Sequence, residues 1–118
     1  MASFNVPFTI LQGETYDETL TWKVGDPAVA VDLTGYTARA QVRSSVTSSI
    51  VLLELTTENG GIVLGDAAGT IQRIVSAADT AAITWKNAVY DLEVIDAGGA
   101  VRRLMSGKVT VSLEVTRD

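Results

Sequence analysis

Asn87-Ala88-Val89-Tyr90-Asp91-Leu92-Glu93-Val94-Ile95, followed by Asp96-Ala97-Gly98-Gly99-Ala100, decides the fold. Ala88, Tyr90, Leu92 and Val94 take alternate positions, with Asn87, Val89, Asp91 and Glu93 opposite them. A period of two marks a half-buried strand, because successive side chains of an extended chain point to opposite faces of a sheet. The segment 96–100 supplies residues that tolerate a positive φ, and it reads as a hairpin turn between antiparallel neighbours. The last segment repeats the pattern, with Val109, Val111, Leu113 and Val115 opposite Lys108, Thr110, Ser112 and Glu114. Gly107 falls inside this return strand, where a bulge or kink is the expected use of a glycine.

Working outward, residues 36–43 alternate cleanly: Tyr36, Ala38, Ala40 and Val42 on one face, Thr37, Arg39, Gln41 and Arg43 on the other. Between positions 15 and 22 the larger apolar side chains are Tyr16, Leu20 and Trp22, and Glu18 is the one mismatch on that face. Weaker strands are read at 4–11, where Pro7 demotes the segment to a sheet edge, at 50–56 and at 70–75. Glycine-bearing connections at 58–61 and 65–69 flank Ile62-Val63-Leu64. The alanine-rich stretch 76–83 reads instead as one helical turn, with Ser76 placed to cap it and Asp79 in its first turn. Short strands punctuated by turns, with no long helix, predict an all-β chain: an antiparallel immunoglobulin-like β-sandwich of about seven to nine short strands with one short helical turn. Trp22 and Tyr90 are its expected core anchors. The immunoglobulin analogy is partial, since Tyr90-Asp91-Leu92 has Leu where a Tyr-x-Cys strand carries its cysteine.

At 118 residues the chain fits one domain, positions 1–118. It contains no His and no Cys. Thiolate nucleophiles, disulfides, Cys/His zinc sites, haem, iron–sulfur clusters and imidazole bases are therefore unavailable within one chain, and no cofactor or metal is expected. The formal net charge of -5 opposes a phosphate backbone or an anionic membrane surface. Arg39 with Arg43, and Arg102 with Arg103, are read as solvated surface charge, and no nucleic acid or membrane partner is expected. The first residues lack the basic and unbroken apolar regions of a secretory signal, and no apolar run approaches the roughly 20 residues that span a bilayer. The expectation is a chain made in the cytoplasm that stays soluble.

Chemistry would have to come from carboxylates, of which Glu14, Asp17 and Glu18 form one group and Asp91, Glu93 and Asp96 another. Glycosidase-like or hard-metal chemistry needs two of them converging in a pocket. Asp91 and Glu93 share the face opposite Tyr90 and Leu92, so a solvated surface is the simpler account. Ser106 and Lys108 stand two apart near Gly107, a spacing common by chance, and no Gly-x-Ser-x-Gly or phosphate-loop ending occurs. No catalytic residue is assigned. The apolar residues Val89 and Ile95 sit on polar faces, Ile50 and Leu52 break the alternation of Val51, Leu53 and Leu55, and Trp85 opens a strand from a turn. Apolar residues on both faces imply a second covering, by a loop, another sheet or a neighbouring subunit. As an edge, the segment carrying Phe4, Val6, Phe8 and Ile10 is the expected donor for strand addition. The candidate partner contacts are Phe4, Val6, Phe8, Ile10, Trp85, Val89 and Ile95.

The wording of the sequence is more specific than its statistics. Gln12-Gly13-Glu14-Thr15-Tyr16, Thr21-Trp22, Val31-Asp32-Leu33-Thr34-Gly35-Tyr36-Thr37-Ala38, Leu55-Thr56-Thr57-Glu58-Asn59-Gly60-Gly61-Ile62, Gly69-Thr70-Ile71, Tyr90-Asp91-Leu92-Glu93 and Gly107-Lys108-Val109-Thr110-Val111 follow one another in order. With Arg43, this series resembles a family of small tailed-phage and prophage structural proteins, and is similar to the N-terminal immunoglobulin-like domain of phage baseplate upper proteins. The resemblance spans nearly the whole chain. It implies a non-enzymatic virion adaptor of the tail, baseplate or fibre attachment, present in multiple copies or as a homo-oligomer, whose partners are other virion proteins. It carries over no catalytic residue. One departure is Arg73, where that pattern has an apolar residue, so the strand 70–75 exposes a charge or pairs it with a partner. The alternatives are a carbohydrate-binding sandwich that aids host adsorption, with Trp22, Trp85 or Tyr36 as a stacking platform, and a head decoration protein.

Overall fold

A computed structural model describes residues 4–116. Along the chain run β1 (Phe4–Asn5), β2 (Phe8–Leu11), β3 (Tyr16–Thr21), β4 (Lys23–Val24), β5 (Val29–Ala30), β6 (Thr37–Arg43), β7 (Leu53–Thr56) and β8 (Ile62–Leu64). A 3-10 turn at Asp66–Ala68 leads to β9 (Thr70–Val75), α1 (Ala77–Ala81), β10 (Asn87–Ile95) and β11 (Val101–Ser112). Among the described residues eight of the eleven strands exceed two residues, which agrees with the expected short-stranded sandwich.

The expected hairpin is the spine of the larger sheet. β10 pairs antiparallel with β11 and with β6, and the order is β1-β11-β10-β6-β7, with β2 also on β11. Asp96 closes the turn through its amide to the Ala100 carbonyl, while its carboxylate accepts from the Gly98 and Ala100 amides, and Gly99 takes φ 90°. The smaller sheet has the order β3-β9-β8, and β4 and β5 form a separate hairpin. Ile10, Leu33, Ile62, Ile71, Leu92, Val94, Leu104 and Val109 are buried in one core cluster, and each contributes about 1.5–3 kcal/mol by leaving water.

Four readings of the sequence change. The segment 4–11 is not one strand. Its halves β1 and β2 both run parallel to β11, with Phe4 beside Met105 and Phe8 beside Val109, and they break at Val6-Pro7 because proline has no amide for the ladder. The bulge in β11 lies at Leu104, not at Gly107: Leu92 pairs with Met105 and Glu93 with Arg103, so the residue between is extra and both Leu104 and Met105 are buried. Gly107 is needed because the bend of the first strand crosses it, and a Cβ there would stand 2.9 Å from the Val6 carbonyl carbon and the Pro7 nitrogen. Finally, β11 stops at Ser112, leaving Leu113 and Val115 exposed, and the strand expected at 50–56 is confined to Leu53–Thr56.

Ser76 caps α1 as expected, accepting from the Asp79 amide. Asp32-Leu33-Thr34-Gly35-Tyr36 is a structural turn. The Tyr36 amide donates to the Leu33 carbonyl, Gly35 takes φ 83°, and Leu33 is buried in the core. The Asp32 carboxylate accepts from the Thr34 amide and hydroxyl, and these bonds hold its pKa below the usual carboxylate value.

Candidate functional site

The inner face of β3 meets the larger sheet in two different ways. At its start, β3 pairs Glu18 directly with Arg73 of β9. The Arg73 guanidinium lies between the sheets, fully buried, 4.5 Å from the ring centre of Phe8 and 5.8 and 5.7 Å from those of Tyr16 and Tyr90. Nη2 donates to Glu18 Oε1 at 3.1 Å and Nη1 to the Tyr90 hydroxyl at 3.1 Å. Tyr16 donates to Glu18 Oε2, and the Tyr90 hydroxyl donates to the Val6 carbonyl. The Arg73 charge is thus neither exposed nor left for another subunit. Glu18, the residue that broke the alternation, is its counter-ion. Burial pushes both phenols above their ordinary pKa, against the opposing pull of Arg73. The groups satisfy one another, apart from Arg73 Nε, and the cage is a brace within the chain that reaches solvent through Glu18.

At its other end β3 borders an open cleft of about 390 Å³. Phe4 and Val6 form one wall, Leu20 and Trp22 the other, and Ile71, Leu104 and Met105 line it between them. Phe4 is 50 % exposed at the rim, whereas Trp22 is buried with its indole Nε1 lacking an acceptor and the Arg102 guanidinium 6.0 Å from its ring centre. The cleft exists because the sandwich ends here in two terminal strands, β1 of one sheet and β3 of the other, with no strand across them.

The backbone of β3 has a free side. The Trp22 amide donates to the Gly69 carbonyl and the Trp22 carbonyl accepts from Val31, so both groups of Trp22 face β9 and β5. In an extended strand these groups alternate sides. Those of Leu20 and Glu18 therefore face β9, and those of Asp17, Thr19 and Thr21 face away from it. Lys23, in the adjoining β4, follows the same alternation, since the β4–β5 pairing lies on the side that Trp22 faces, and no other strand of the described residues covers the outer edge.

Of the candidate contacts, the structure brings together only Phe4 and Val6. Phe8 and Ile10 leave the set: alternation within β2 sends them into the core, 7 % and 0 % exposed, and turns Thr9 and Leu11 outward. Val89 and Ile95 are half-buried on the outer face of β10, and Trp85 lines a separate groove with Leu52 and Ile83. Leu20, Trp22 and Met105, which line the cleft, were not among the candidate contacts; Leu20 and Trp22 read as core from the alternation of their own strand. The signal in the sequence was the Thr- and charge-rich opposite face of β3, which marks an edge.

The carboxylates are engaged individually. Glu93 meets Arg39 at 2.8 Å, Asp91 lies 3.9 Å from Arg103, and Asp17 accepts from Gln72. Among the described residues no group of three carboxylates is placed to hold a metal ion. Of the three rings considered as a sugar platform, Trp22 is buried and Tyr36 and Trp85 are half-buried against the core. No protein-family model matches this chain, and no curated protein matches it.

Proposed function

We propose that this chain is a non-enzymatic adaptor that holds other protein subunits, and that it does so in the tail, baseplate or fibre-attachment region of a phage particle. The observation that carries the holding role is the apolar cleft between the two terminal strands. It joins side chains that gain by leaving water to backbone groups on β3 that have no strand partner, the combination that strand addition uses. Many copies on a symmetric particle would turn such modest contacts into firm attachment. The virion setting comes from the ordered sequence words that resemble tailed-phage structural proteins and the immunoglobulin-like domain of baseplate upper proteins.

The test is electron microscopy of particles made without this protein. A missing appendage or density at the tail end, with reduced adsorption, is the expected result. Missing density on the head would make it a decoration protein, and intact particles with full adsorption would sink the proposal.

A further inference from the structure

We infer that a second copy of this chain closes the cleft, its β3 edge pairing antiparallel with the first about a two-fold axis at Leu20. This rests on reading the cleft as a protein-docking site, and it names the occupant. The β3 edge is self-complementary. With Leu20 opposite Leu20, Asp17 stands opposite Lys23 and Thr19 opposite Thr21, and each relation repeats across the axis. Two opposite-charge pairs and two Thr–Thr pairs result, all favourable cross-strand combinations. The backbone parity agrees. Asp17, Thr19, Thr21 and Lys23 direct their amides and carbonyls to the free side, so they form the hydrogen-bonded pairs, while Leu20, bonded toward β9, forms a non-bonded pair at the axis.

Charge selects this register. A slip of two positions in one direction puts Asp17 against Thr21, in the other against Gly25, and either loses both ion pairs; a longer slip sets Asp17 against Asp17. Within the described residues Lys23 forms no ion pair, and Asp17 accepts from the neutral Gln72 amide, so both charges are free to serve. The pairing lays Leu20 on Leu20 beside the cleft mouth, covers the half-exposed Phe4 rim, and brings Glu18 of one copy opposite Trp22 of the other, whose indole N–H lacks an acceptor. The three-stranded sheet becomes six-stranded, with β3 at its centre and β8 at each end.

The experiment uses the whole chain. Sedimentation velocity should show twice the chain mass. Either single charge reversal, D17K or K23D, should weaken the dimer about tenfold, and the double reversal D17K/K23D should restore it. Because the chain has no cysteine, L20C supplies its only thiol. Residues facing each other in a non-bonded antiparallel pair have Cα atoms about 4.5 Å apart, within reach of a disulfide. L20C should therefore cross-link on mild oxidation, and T19C, whose partner is Thr21, should not. A folded monomer at every concentration, a dimer indifferent to the reversals, or T19C cross-linking as well as L20C would each overturn the pairing. A monomer that still occupies particles would remove the self-pairing alone, whereas a dimer whose loss leaves particles intact would remove the adaptor reading alone.

Discussion

The two ends of β3 solve one packing problem in opposite ways. Around Tyr16 and Glu18 the space between the sheets is filled by Phe8, Tyr90 and the Arg73 guanidinium, each polar group except Arg73 Nε finding its partner inside the chain. Around Leu20 and Trp22 the same space stays open to solvent and apolar. An interior that completes itself makes a brace. One left incomplete is, in the proposed reading, a place for a partner. The difference traces to Pro7: on one side of it β2 sends Phe8 and Ile10 inward, and on the other β1 is two residues long and leaves Phe4 half out.

If the first end is a brace, breaking it should be costly. The largest effect is expected for Glu18→Ala, which strands a buried guanidinium. Removing one partner of a fully buried pair costs roughly 3–5 kcal/mol, and about 2–3 kcal/mol is expected here because the Glu18 side chain is 45 % exposed. Urea unfolding of the variant measures it. Tyr90→Phe, which removes both the acceptor for Arg73 and the donor to Val6, should cost about 1–2 kcal/mol by the same measurement.

Raised phenol pKa values in the cage give a pH signature. The unfolded chain ionises its tyrosines near the ordinary value of 10.0 while Tyr16 and Tyr90 in the fold still hold their protons. Their contribution is complete below that pH and is lost as pH rises above it, so denaturation midpoints should be level into the weakly alkaline range and then fall. Tyr16→Phe should flatten the fall. Arg73→Met should cost less than Glu18→Ala, within about 1 kcal/mol, because an apolar side chain of similar length suits the ring cage and leaves Glu18 able to face solvent. At the other end, Phe4→Ala should change the stability of the isolated chain by no more than about 0.5 kcal/mol while weakening assembly, since half of that ring is already in water. A Phe4 variant as damaging as Glu18→Ala would erase the contrast.

The alternating strands were legible because one face of each lies in the core: Ala38, Ala40 and Val42 in β6 and Ala88, Tyr90, Leu92 and Val94 in β10 are all buried as their spacing implies. Glu18 and Arg73 were each visible as exceptions, but not as a pair. They are 55 positions apart, and only the β3–β9 register shows that they face each other. The parallel pairing of β1 and β2 with β11 was equally hidden, since side-chain alternation carries no strand direction. So was the cleft, which depends on which strands end their sheets rather than on any residue type in it. Phe8 and Ile10 were misplaced as contacts because an edge strand still buries every second residue.

Amide hydrogen exchange along β3, compared between the dilute isolated chain and the assembled particle, tests the central claim most directly. The account predicts that the amides of Asp17, Thr19 and Thr21 exchange fast in the free chain and become protected on assembly, while those bonded toward β9 are protected in both. Outward amides that exchange equally fast in the particle would contradict it.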